Sequence, residues 1–163
     1  MPPGGIPRKF KEGARAGDPV DGRMAEAAEE AGLVMRRAAV TPNTRLSFEA
    51  SEFAKGKGLF EEFHKACYRA LWEEGANLGD EAVLKRLAEQ VGLDAFEMGS
   101  HLDTGRYRAR VKAQYEEAIG MGVQGIPTFI IGRYYFSGAQ PYEFFRQVAQ
   151  RVQEEMATGE AGG

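Results

Sequence analysis

The stretch Gly122–Gln140, GVQGIPTFIIGRYYFSGAQ, decides the fold, because the helical periodicity of the rest of the chain stops there. Two short runs rich in β-branched and aromatic residues, Phe129–Ile131 and Tyr134–Phe136, flank the turn-forming pair Gly132–Arg133. The pattern predicts two antiparallel strands joined as a hairpin. Pro127 cannot donate a backbone hydrogen bond, so we expect it at the start of the first strand. The peptide bond before it is open to both isomers, of which trans is the commoner.

Outside this stretch the sequence is patterned for helices. The clearest signal spans residues 59–74, where Phe63 and Cys67 share one apolar face and charged residues occupy the others. Residues that cap helices precede other segments, among them Asp80 and Asp94. The pattern predicts seven helices, at about residues 24–31, 44–55, 59–74, 81–91, 95–102, 106–121 and 141–156.

The last helix before the hairpin, at residues 106–121, is expected to bury an apolar face. That face carries Val111, either Gln114 or Tyr115, and Ile119 at helical spacing. The helix would deliver the chain directly into the loop before Pro127.

The chain contains one cysteine, Cys67, so no internal disulfide and no Cys-x-x-Cys pair can form. Its place on the apolar face of a helix predicts a buried, unreactive thiol. The two histidines, His64 and His101, are not spaced as metal ligands with Cys67 or with paired acids, and no phosphate-binding loop or serine nucleophile motif is present. We therefore expect no catalytic residue, no metal site and no cofactor.

The loop and hairpin resemble the end of a DsbA-like thioredoxin-fold domain. The resemblance depends on two sequence motifs, Gly125-Ile126-Pro127 and Ser137-Gly138-Ala139-Gln140. The second motif is more similar to the FrnE-like branch than to the related 2-hydroxychromene-2-carboxylate isomerases. In that family the proline is cis and lies beside the redox centre, and the residue before it offers backbone hydrogen bonds to a bound thiol or peptide.

The resemblance implies a binding site at Gly125, Ile126 and Pro127. Asn43 also resembles a family position, at the start of a helix near the active-site cleft. The alternative for Asn43 is a simple helix cap.

The resemblance covers residues 20 to 153 and implies an α+β, mostly helical fold. It implies a helical insertion at 21–121 and the C-terminal ββα part of a thioredoxin fold at 122–156. The residues themselves predict an extended arm at 1–20, which lacks a helical or alternating period, and a disordered tail at 157–163. The family's N-terminal βαβ half, which carries the Cys-x-x-Cys motif, is expected to be absent from this sequence.

The function implied is that of a FrnE-like thiol-disulfide oxidoreductase or isomerase, redox-inactive as this chain because the cysteine pair is missing. One alternative is a non-catalytic peptide-binding or partner module that dimerises through the edge of the hairpin. A third is an isomerase related to 2-hydroxychromene-2-carboxylate isomerase. A peptide bearing a thiol or disulfide, or a small thiol, is the expected partner, together with a second copy of the chain.

Composition bears on the remaining partners. A net charge of −3 gives no electrostatic reason to expect nucleic acid or an anionic membrane. The basic residues Arg8, Lys9, Lys11 and Arg15 are interpreted as a solvated surface. No apolar run is long enough to span a bilayer, and the first five residues do not form the apolar core of a signal peptide, so we expect a cytoplasmic protein without nucleic-acid or membrane partners.

Overall fold

The computed structural model describes residues 1–159 and divides the chain into two compact units, the first Met1–Ala113 and the second beginning at Gln114. Helices dominate, as predicted for a mostly helical α+β fold. The elements are β1 (Ile6–Pro7), α1 (Arg23–Glu30), β2 (Val40–Thr41), α2 (Arg45–Gly56), α3 (Phe60–Trp72), α4 (Glu81–Gln90), α5 (Ala95–Asp103), α6 (Arg108–Gly120), β3 (Thr128–Ile131), β4 (Tyr134–Ser137) and α7 (Tyr142–Thr158).

The core of the first unit lies among α2, α3, α4 and α5. Its largest fully buried apolar side chains come from all four helices, and they are Phe53, Phe63, Leu84, Leu87 and Met98. Each such side chain contributes about 1.5–3 kcal/mol on leaving water, so this cluster is the main source of stability of the unit. No helix within residues 1–159 is both long enough and apolar enough to cross a membrane.

Local capping signals explain where α4 and α5 begin. The Asp80 carboxylate accepts a hydrogen bond from the backbone N–H of Ala82 at 2.9 Å, and Asp94 accepts one from that of Glu97 at 2.8 Å. Both caps satisfy backbone donors that have no partner inside the helix. The two predicted caps are confirmed.

Residues 1–20 include β1, which pairs antiparallel with β2 and places Ile6 opposite Thr41. Gly5 makes this approach possible. Its φ of 80° is accessible to glycine, and a Cβ there would lie 2.4 Å from the Thr41 carbonyl oxygen. The pairing continues beyond the strand, where the Arg8 N–H donates to the Ala39 carbonyl at 2.9 Å.

The second unit contains the predicted hairpin and the helix that follows it. β3 and β4 pair antiparallel with Phe129 opposite Phe136, and the turn at Gly132 has a φ of 58°. The Phe145 ring of α7 meets the Phe129 ring edge-on at 4.7 Å between centroids. These contacts hold α7 against the hairpin.

Two predictions about helices need correction. No residue of α6 is buried, and Tyr115 and Ile119, expected on a buried face, are 68% and 51% exposed. α7 ends at Thr158, so Ala157 and Thr158, assigned to a disordered tail, are helical. Gly159 is the C-cap of α7, and residues 160–163 of that predicted tail lie outside the described residues.

Candidate functional site

The loop that enters β3 carries the predicted binding residues Gly125, Ile126 and Pro127. The Ile126–Pro127 peptide bond is cis. The Gly138 N–H donates to the Pro127 carbonyl at 2.9 Å, which extends the pairing of the hairpin by one step beyond Thr128 and Ser137. The proline is therefore held at the start of the strand, where the absence of its N–H costs no ladder bond.

Two side chains that the sequence did not single out fasten the same loop. The Thr128 hydroxyl donates to the Gly125 carbonyl at 2.6 Å, and the Tyr135 hydroxyl donates to the Gly122 carbonyl at 2.9 Å. Threonine hydroxyls often bond a backbone carbonyl three or four residues earlier in the chain, and the bond from Thr128 to Gly125 has this spacing. The contact between Tyr135 of β4 and Gly122 joins residues far apart in the sequence, so no local sequence pattern predicts it.

Ile126 is the most exposed large apolar residue of the chain's described part, at 94% exposure. Within residues 1–159 neither its N–H nor its carbonyl takes part in a hydrogen bond. At the neighbouring Gly125, an added Cβ would have no other atom within 4 Å. The loop thus presents a fixed backbone with two unused hydrogen-bonding groups and room for another chain to approach.

The surroundings of Cys67 make its thiol unreactive as a nucleophile. Its side chain is buried on α3 among the core residues of the first unit, and it is a free thiol. Burial raises the pKa of Cys67 to about 12. At neutral pH the thiol is therefore protonated, and the thiolate that attacks disulfides is not available.

Asn43 belongs to the first unit, and its amide is engaged within that unit. The side-chain nitrogen donates to the carbonyls of Met1 and Pro2 at 3.0 and 3.3 Å, while the oxygen accepts from the Arg45 N–H at 3.2 Å. Thr44 is the N-cap of α2 and makes no side-chain cap bond, so Asn43 is not the N-cap residue itself. A role for Asn43 in binding stays a prediction.

The sequence profile of the DSBA-like thioredoxin domain matches residues 4–150. The chain belongs to the DSBA-like thioredoxin domain family. This DsbA-like chain is also 34% identical, over 134 residues, to the uncharacterized protein YwbO of Bacillus subtilis (strain 168). Its fold is similar to the crystal structure of the probable DsbA oxidoreductase SCO1869 from Streptomyces coelicolor, with a TM-score of 0.72 and 31% identity.

The matches cover most of this DsbA-like chain but a smaller share of the relatives. The alignment with YwbO takes in 78% of the chain and 66% of that protein, and the alignment with SCO1869 takes in 80% of the chain and 57% of that structure. Across residues 1–159, no three side chains of the His, Cys, Asp and Glu types are grouped so that they could hold a metal ion.

Proposed function

We propose that this chain provides the substrate-docking loop of a FrnE-like thiol-disulfide oxidoreductase and, as these 163 residues, binds peptide without exchanging disulfides. The observation that carries the proposal is Ile126, an exposed residue whose N–H and carbonyl have no hydrogen-bond partner within residues 1–159. An extended peptide segment can pair with such groups as an added strand.

The chemistry of thiol-disulfide exchange also supports a chain that docks peptide without exchanging disulfides. Disulfide exchange needs a thiolate that attacks a disulfide sulfur and a second thiol that resolves the mixed disulfide. Cys67 is the only sulfhydryl in the sequence, and its raised pKa leaves it protonated. The docking groups and the redox groups would therefore belong to different segments of the functional protein.

The proposal of the FrnE-like branch depends on the sequence Ser137-Gly138-Ala139-Gln140, which begins at the last residue of β4. Gly138 has a φ of 86°, a conformation that glycine adopts readily, and the Gln140 side chain donates to the Ser137 carbonyl at 3.1 Å. These four residues therefore form a closed turn beside the proline loop. Gly138 of this turn also supplies the N–H that donates to the Pro127 carbonyl.

A test of this proposal is the reduction of insulin by dithiothreitol, followed as turbidity. We expect the wild-type chain and Cys67→Ala to leave the rate at the uncatalysed background, since neither offers a reactive thiolate. Turnover above background that survives in Cys67→Ala would show that the chemistry resides elsewhere in the chain. Turnover lost in Cys67→Ala would show that the buried thiol reacts.

A second candidate is a partner module that associates through the hairpin edge, and one observation favours it. In the described residues β3 and β4 pair only with each other, and no residue of the second unit is fully buried. Two strands alone are marginally stable, and their outer edges carry unpaired backbone groups. A second copy of the hairpin would supply partners for them.

A further inference from the structure

A cavity of about 320 Å³ lies in the first unit, where residues 8–11 pass the end of α3 and the start of α1. This volume is at the small end of the range found for small-molecule sites. The cavity involves none of the residues of the proline loop, so an occupant there would be independent of the proposed function.

Positive charge surrounds the cavity. Its lining includes Arg8, Lys9, Lys11 and Arg37, with a single carboxylate, Asp21. The whole chain has a net charge of −3, so this concentration of cations is a local departure from its average. Among the described residues, Arg8, Lys9 and Lys11 have no carboxylate within ion-pair distance. These three are therefore available to an anion.

Aromatic surface supplies the rest of the lining. Phe10 lies between two of the lysines in the sequence, and Trp72, the last residue of α3, also lines the cavity. Both side chains are half-buried. Val20 and Met24 add aliphatic surface. A flat ring can stack on such side chains while its acidic substituent meets the cations.

The backbone and one cation are fixed before any ligand arrives. Arg37 pairs with Asp21 at 2.7 Å and donates from Nε to the Pro19 carbonyl at 3.2 Å. The hydrogen bond from Arg37 holds the pKa of Asp21 below its usual value of 3.8. The Arg36 N–H donates to the Trp72 carbonyl at 2.6 Å, which ties the segment between α1 and β2 to the end of α3. Such preorganisation lowers the entropic cost of binding.

We propose that this cavity binds a small aromatic carboxylate, with its ring against Phe10 and Trp72 and its carboxylate among Arg8, Lys9 and Lys11. The Asp21 carboxylate repels the bound anion and forms an ion pair with Arg37. The site therefore contains both attracting and repelling groups, and their removal has opposite effects on affinity.

Trp72 is the only tryptophan of the chain, so its fluorescence reports from the cavity alone. The probe is 4-nitrobenzoate, which quenches tryptophan on contact, and 4-nitrobenzamide is its uncharged counterpart. We expect saturable quenching by the carboxylate and binding about tenfold weaker for the amide, because the charge-assisted bonds are lost.

Two variants give opposite expectations. Lys9→Gln/Lys11→Gln should weaken binding of 4-nitrobenzoate about tenfold, whereas Asp21→Asn should strengthen it, since the repelling charge is removed and Arg37 is released. The matched control is Lys55→Gln/Lys65→Gln, which removes two exposed lysines that do not line the cavity and should leave affinity unchanged. Quenching that does not saturate, equal affinity for the amide, or equal losses in both double variants would overturn the proposal.

Discussion

At the scale of the residue, Cys67 shows how burial determines chemistry. Its thiol is 5% exposed and has a pKa of about 12, compared with an ordinary value of 9.0. Desolvation is the cause, because a thiolate in the apolar core of the first unit would have no compensating partner. The folded state therefore holds the proton more tightly than the unfolded state does.

This difference predicts a pH dependence of stability. Because the folded pKa is raised, the contribution of Cys67 is complete below pH 9.0 and is lost as the pH rises towards 12. We expect the free energy of unfolding of the wild type to fall relative to that of Cys67→Ala across this window, measured by urea denaturation at several pH values. A constant difference between the two proteins from pH 8 to pH 11 would show that the thiolate is not penalised in the fold.

At the scale of the element, the hairpin depends on its own helix. Phe129, Phe136, Phe144 and Phe145 form a cluster of edge-on and stacked rings with centroids 4.7–6.4 Å apart. None of the four is fully buried. The cluster orders the hairpin against α7 and leaves the outer edges of β3 and β4 unpaired.

An exposed edge of this kind predicts self-association, which sedimentation velocity at micromolar concentrations can detect. We expect Ile130→Lys, in β3, to shift the chain towards monomer, because a lysine on an edge strand opposes strand addition. Ile119→Lys in α6 is the matched control, since the two isoleucines are 52% and 51% exposed. A wild type that sediments strictly as a monomer, or equal shifts in the two variants, would contradict association through this edge.

The limits of prediction are also visible at this scale. The hairpin, the cap at Asp80 and the cap at Asp94 follow from signals within a few residues, and each was predictable. The buried face predicted for α6 was wrong: a few apolar residues recur at helical spacing, but apolar and polar residues are distributed around the helix without a distinct apolar side, and none is buried. Phe10 and Trp72 line one cavity only in the folded chain, so the sequence did not indicate that cavity, although the position of Phe10 between Lys9 and Lys11 was a local signal.

At the scale of the whole molecule, the DsbA-like chain contains a helical unit with a buried apolar core and a second unit in which the described residues remain partly exposed. The proline loop belongs to the second unit, and Cys67 and Asn43 belong to the first. The predicted binding residues Gly125, Ile126 and Pro127 are adjacent in one loop, while Asn43 has local partners of its own. The central claim therefore depends on the backbone at Ile126.

The most direct test removes one backbone donor from that loop. Ile126→Pro lacks the N–H, whereas Ile126→Ala keeps it and loses only side-chain surface. Binding of a fluorescein-labelled, S-carboxymethylated insulin B chain is measured by anisotropy, and circular dichroism checks that both variants fold. We predict that Ile126→Ala retains most of the affinity and that Ile126→Pro loses about tenfold, as expected for one backbone hydrogen bond. Wild-type affinity in a folded Ile126→Pro would contradict the claim that this loop docks peptide through its backbone.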